Sequence, residues 1–255
     1  MSDLDRHAGP CAGKSVRGHR SGRLPTCLCL AGLIGAGALI CVLVLLRPGL
    51  PWSLHLSALI APYVAFLAVW LLVAGLFRRH VPHDRFGPAN TVTLVRAALV
   101  CGLLGPLIWG AAAGWGVALT GAVALMLDGV DGWLARRTHL VSDFGARFDM
   151  EVDAALGLVL ALHAYRGTAA GIEVLALGMV RYVFVAAAAV WPWLLDPLPE
   201  SRRRKVICVL QLAILVLLQV PGLSGDAAIL LARAALAAVL WSFFADIMWL
   251  RARRG

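Results

Sequence analysis

Eight apolar runs, most of them long enough to cross a bilayer, restrict this 255-residue chain to a bundle of membrane helices. They cover about 27–46, 54–77, 91–109, 114–134, 146–165, 172–193, 206–220 and 227–250. A hydrocarbon core of about 30 Å takes about 20 helical residues. Backbone groups in lipid must also be satisfied internally, which excludes an open sheet. Composition agrees, because only 15% of the residues are charged against about 25% in soluble domains. The expected fold is therefore all-α, a polytopic integral membrane helical bundle. Gly167 and Gly171 separate the fifth run from the sixth. The first run is longer than the ~7–15-residue core of a signal peptide, and no A-x-A-like site follows it. It is read as a retained transmembrane helix.

The charges orient the bundle. The formal net charge is +9, yet the basic residues fall in short clusters between the runs rather than on one segment. Such clusters are topology signals and contacts for anionic lipid, so nucleic acid is not an expected partner. Eighteen of the 23 Lys and Arg residues lie in the tails and alternate loops of one side. Arg47 and Arg166 alone fall on the other, and Arg96, Arg181 and Arg233 lie within runs. By the positive-inside rule, both termini are expected in the cytoplasm. Residues 1–26, polar, basic and rich in Gly and Ser, are expected to be disordered. The six cysteines lie mostly in or beside apolar runs without ligand-like spacing, and are read as small apolar residues. The Ala-, Gly-, Leu- and Arg-rich usage points to a bacterial source, hence to a bacterial cytoplasmic membrane.

Against this background, four aspartates stand out. Asp128 and Asp131 lie within about 60° of each other on a helical wheel. Gly132 and Ala135 share their stripe, and Arg136 borders it. On the next helix Gly145, Asp149 and Asp153 recur every four residues and stack on one face. Glu151 points to the other side, towards a local pair or the interface, and is not counted as a ligand. Two antiparallel helices would thus bring four carboxylates together at the cytoplasmic face, where they repel unless cations intervene. Oxygen ligands without Cys or His favour Mg²⁺ or Mn²⁺. Two such ions can clamp a diphosphate during displacement at phosphorus.

The pattern Asp128-x2-Asp131-Gly132-x2-Ala135-Arg136-x8-Gly145-x3-Asp149-x3-Asp153 resembles the signature of the CDP-alcohol phosphotransferases. Pro88–Arg96 resembles that family's P-N-x-x-T-x-x-R stretch, with Ala89 inserted and Asn90, Thr93 and Arg96 retained. Arg204–Gln211 resembles its G-K-x-x-T-x-x-Q stretch, with Arg204 and Cys208 in place of Gly and Thr. The resemblance implies a six-helix catalytic core over 86–250, two additional transmembrane helices within 27–85, and basic cytoplasmic tails at 1–26 and 251–255. It implies that Asp128, Asp131 and Asp149 hold the metals, with Asp153 as a further ligand and, above all, the base on the acceptor hydroxyl. Asp128, Gly132, Arg136, Gly145, Asn90 and Thr93 would receive the nucleotide.

The expected reaction transfers a phosphatidyl group from CDP-diacylglycerol to a small polar alcohol, with release of CMP. The expected partners are these two substrates and the lipid bilayer, and a homodimer is an allowed assembly. Two alternatives stay open: transfer from a soluble CDP-alcohol to diacylglycerol, and a cation transporter with intramembrane Asp pairs. Arg181, midway along its run, has no acid nearby in sequence except Glu173, so its expected partner is one of the four aspartates or a substrate phosphate. With Lys205 it would form an acceptor pocket suited to a polyol phosphate such as glycerol 3-phosphate. Arg233 is expected to snorkel or to pair with an acid.

Overall fold

The computed structural model describes residues 26–46, 56–80, 86–110, 113–138, 142–196 and 201–253. Among them are eight α-helices and no strand: α1 Thr26–Leu46, α2 Leu56–His80, α3 Pro88–Trp109, α4 Trp115–Thr138, α5 Asp143–Gly167, α6 Ile172–Val190, α7 Arg202–Leu217 and α8 Gly225–Ala252. Every apolar run has become a helix, which establishes the expected polytopic bundle. The expected disordered tail lies outside the described residues except for Thr26. Of the expected C-terminal tail, residues 251 and 252 continue α8, while 254 and 255 lie outside the described residues.

Six helices, α1, α2, α3, α4, α6 and α8, contain stretches long and apolar enough to span a membrane. The exceptions are informative. α7 has only 16 residues. α5 carries Asp143, Arg147, Asp149, Glu151 and Asp153 in its first half, so its shortfall in hydropathy comes from the carboxylates themselves.

Local signals set the helix ends. Pro88 opens α3 just after Gly87, where its missing N–H is no loss. Gly110 closes α3 in the left-handed conformation, φ 75°. Ser142 caps α5 by accepting from the Gly145 amide at 3.0 Å. The sixth run was expected to continue to 193, but α6 stops at Val190 and Pro192–Leu195 form a single 3₁₀ turn. Pro192 lacks an amide hydrogen and disfavours helical geometry at Trp191.

α3 is the central helix. Two-thirds of its span is buried (67%), against 28% or less for the other candidate spans. The two N-terminal helices help to bury it, meeting α3 through Leu28, Leu39, Phe66, Phe77 and Leu94. A Cβ at Gly102 would lie 2.7 Å from the Val42 side chain, so α1 crosses α3 at a position that only glycine permits. α2 also braces α5, because Phe77 meets Phe86 and Phe144 edge-on and Phe144 stacks with Phe148. The additional helices thus support the segment that carries Gly145 and Asp149.

Within lipid, helix association rests on close packing and interhelical hydrogen bonds, each of the latter worth about 0.6 kcal/mol on average. Both are present. A Cβ at Gly178 would stand 2.6 Å from Ala161 Cβ and 3.0 Å from Leu158 Cα, so α6 lies against the α5 backbone. His163 Nε2 bonds the Leu103 carbonyl at 2.9 Å, Gln219 donates to the Leu160 carbonyl at 2.9 Å, and Gln211 donates to the Leu177 carbonyl at 2.8 Å. Gln211, retained from the third motif stretch, thus ties α7 to α6. The five described cysteines are free thiols, in keeping with their reading as small apolar residues.

Candidate active site

The N-terminal half of α3, the C-terminal half of α4 and the N-terminal half of α5 meet at one end of the bundle. The four aspartates converge there, and a residue absent from the expected site lies at their centre. The Arg96 side chain is fully buried (0% exposed), and its Nη1 lies 3.1 Å from Asp128 Oδ1 and 3.0 Å from Asp131 Oδ2. The same Nη1 also pairs with Asp149 Oδ1, while Nη2 pairs with Asp153 Oδ1. Nε donates to the Ala124 carbonyl of α4 at 3.1 Å. One guanidinium therefore contacts all four carboxylates and is anchored on the helix that carries two of them.

Depth differs among the acids. Asp131 lies at the floor with 4% of its side chain exposed, whereas Asp128, Asp153 and Asp149 retain 25%, 20% and 36%. Thr93 Oγ1 lies 3.2 Å from Asp131 Oδ2 and 3.1 Å from the Ala89 carbonyl. Its single proton can serve either oxygen. The site thus has a closed floor made by α3 and an open rim formed by α4 and α5.

Oxygens of Asp128, Asp131 and Asp149 lie within 4.8 Å of one another and can hold a metal ion. Asp153 stands outside that group of three, on the other guanidinium nitrogen. A single Arg leaves the four carboxylates, when ionised, with three uncompensated charges. Like charges 4 Å apart near a protein surface repel by about 4 kcal/mol, so further positive charge is favoured. Hard carboxylate oxygens at the open rim, with no Cys or His among them, suit Mg²⁺ or Mn²⁺.

The remaining expected residues fall in three places. Asn90 and Gly145 are brought together: a Cβ on Gly145 would stand 2.6 Å from Asn90 Oδ1. The space left by this glycine is thus used by the Asn90 side chain. Gly132 lies in α4, half-buried, one residue beyond Asp131. Arg136 also lies in α4, but its side chain is outside the described residues.

Arg181 requires a correction. Its partner is none of the four aspartates: Nη2 pairs with Glu151 Oε1, and Nη1 reaches Met150 Sδ at 2.8 Å. Glu151 points away from the aspartate face of α5, as expected, and there meets α6. Glu173, the nearest acid in sequence, is instead held by Arg233 at 3.2 Å. Lys205, in the first turn of α7, is exposed. Cations in a first helical turn oppose the helix dipole. In α7, Arg203 and Arg204 are compensated by Asp246 of α8, and Arg203 also lies over the Trp241 ring.

Sequence reasoning placed Arg96 in an apolar run and in a motif, but gave it no role. The signal was present, because an Arg in a buried membrane helix needs an anion and its own helix supplies none.

A family model described as CDP-alcohol phosphatidyltransferase matches residues 86–245. Neither a curated protein nor a solved structure matches the chain.

Proposed function

Because the chain belongs to the CDP-alcohol phosphatidyltransferase family, we propose that it makes phospholipid by moving the phosphatidyl group of CDP-diacylglycerol to the hydroxyl of a small polar acceptor, with release of CMP. The observation that carries this reading is the cluster itself. Three carboxylates with oxygens within 4.8 Å of one another stand beside a fourth, all inside the matched segment. Family membership favours a transferase over a cation transporter.

Asp128, Asp131 and Asp149 would hold the divalent metal, with Asp153 beside them as a further ligand. When bound, the metal supplies positive charge to the diphosphate oxygens. The chain's own residues do the rest. Asp153 accepts the proton of the acceptor hydroxyl as that oxygen attacks the phosphatidyl phosphorus. The bond to the CMP oxygen breaks, and CMP leaves. Asn90 and Thr93 on α3, Gly132 and Arg136 on α4, and Gly145 on α5 form the nucleotide side. The basic clusters orient this end of the bundle to the cytoplasm of a bacterial membrane.

The acceptor side is formed by Arg181 and Lys205. Arg181 is held by Glu151, which lies between Asp149 and Asp153 in the sequence of α5. A phosphorylated polyol such as glycerol 3-phosphate would add an anion to this cationic side, while its hydroxyl faces Asp153. The test is a panel of phosphorylated and unphosphorylated acceptors with purified protein, CDP-diacylglycerol and Mg²⁺. Arg181→Gln should raise KM for the acceptor about 10-fold or more, the scale of one lost charge-assisted hydrogen bond. KM for CDP-diacylglycerol should change little. Equal changes in both constants, or robust turnover with unphosphorylated alcohols alone, would remove Arg181 from the acceptor site.

A further inference from the structure

The three carboxylates that can hold a metal are the same three that share a single nitrogen of Arg96. Nη1 contacts Asp128, Asp131 and Asp149, and Nη2 contacts Asp153 alone. This division points to Arg96 as an internal counter-ion that a divalent metal displaces from Asp128, Asp131 and Asp149, while the contact with Asp153 is kept. The inference rests on the reading of the cluster as a metal site.

Three features support it. Nη1 is surrounded by the oxygens that would ligate the ion, so the two cations compete for the same acceptors. The guanidinium is moored independently of those oxygens, through Nε on the Ala124 carbonyl and Nη2 on Asp153. The planar guanidinium can therefore pivot about these two contacts, carrying Nη1 off the three oxygens while the side chain stays anchored. Finally, Arg96 is fully buried and has no carboxylate partner on its own helix, so among the described residues its charge is compensated by these four acids. In this arrangement the guanidinium holds the four acids together before the metal binds. Once the metal takes three of them, Arg96 serves the fourth, keeping Asp153 oriented as a proton acceptor.

The sign of one measurement separates this role from that of a fixed support. Removing a residue that merely orients metal ligands weakens binding by about 10–100-fold. Removing a competing cation strengthens it, because the carboxylates then lack a counter-charge. The experiment is Mn²⁺ binding to the full-length protein in detergent, followed by electron paramagnetic resonance without substrate. Arg96→Gln should bind Mn²⁺ about tenfold more tightly than the parent chain, and its metal-free form should melt at a lower temperature. Equal or weaker binding by Arg96→Gln, with the parent binding normally, overturns the role of Arg96. Failure of the parent itself to bind Mn²⁺ overturns the metal reading and this inference with it. If Arg96→Gln does not fold, a structure of the Mn²⁺-loaded parent decides. Nη1 should then lie beyond hydrogen-bond distance of Asp128, Asp131 and Asp149, with Nη2 still on Asp153. Nη1 remaining on those three carboxylates beside the ion would refute displacement.

Discussion

Asp149→Asn protein, folded and inserted normally, is expected to release CMP about 10³-fold more slowly than the parent chain. A metal's stabilisation of transition-state charge is worth several kcal/mol, and each ~1.4 kcal/mol is a factor of ten. Asp128→Asn and Asp131→Asn should have comparable effects, since each removes one of the three carboxylates that would hold the metal. Folding should survive for a specific reason. Asn keeps a carbonyl oxygen for the Arg96 guanidinium, and at Asp131 for the Thr93 hydroxyl as well. Losing one negative charge from a crowded group also relieves repulsion. Thermal melts in detergent should therefore show little loss of stability even where turnover is abolished. Near-parental turnover in any of the three would show that the cluster is a structural ion pair with Arg96.

The second large effect is expected at Asp153. Its carboxylate pairs with Nη2 of Arg96 and stands apart from the group of three, a position suited to receiving a proton. General-base catalysis contributes about 10²–10⁴ in rate, so Asp153→Asn should lower kcat by that order. Binding of CDP-diacylglycerol should change by much less, because the three carboxylates that would hold the metal remain. Separate measurement of kcat and of donor affinity distinguishes the roles. A large loss of donor affinity with kcat preserved would make Asp153 chiefly a ligand.

Much of this arrangement was legible because helices impose a fixed period. Asp128 and Asp131, then Gly145, Asp149 and Asp153, recur at spacings that share a helix face, and hydropathy alone separated the helices that carry them. Their convergence follows from two antiparallel neighbours joined by a short connection. The position of Arg96 was not legible in the same way. Its partners come from two other helices, and the rotation of α3 about its axis leaves no trace in local spacing. The same limit explains Arg181. Its partner was expected among the four aspartates or a substrate phosphate, but tertiary packing places Glu151 of α5 against Arg181 and gives Glu173 to Arg233. The end of α6 was a local matter, readable from Pro192, yet hydropathy carried the run past it. The two N-terminal helices had no motif to interpret. Their contribution is steric, through Gly102 beneath Val42 and the Phe77–Phe144 contact.

The most direct test of the central claim is product stoichiometry with purified protein, CDP-diacylglycerol, Mg²⁺ and the acceptor panel, following CMP and lipid product together by mass spectrometry. The account predicts one phosphatidylated acceptor for each CMP released, none of either without acceptor, and loss of both in excess EDTA with recovery on adding Mg²⁺ or Mn²⁺. CMP release at the same rate without any acceptor, or full turnover in excess EDTA, would contradict it.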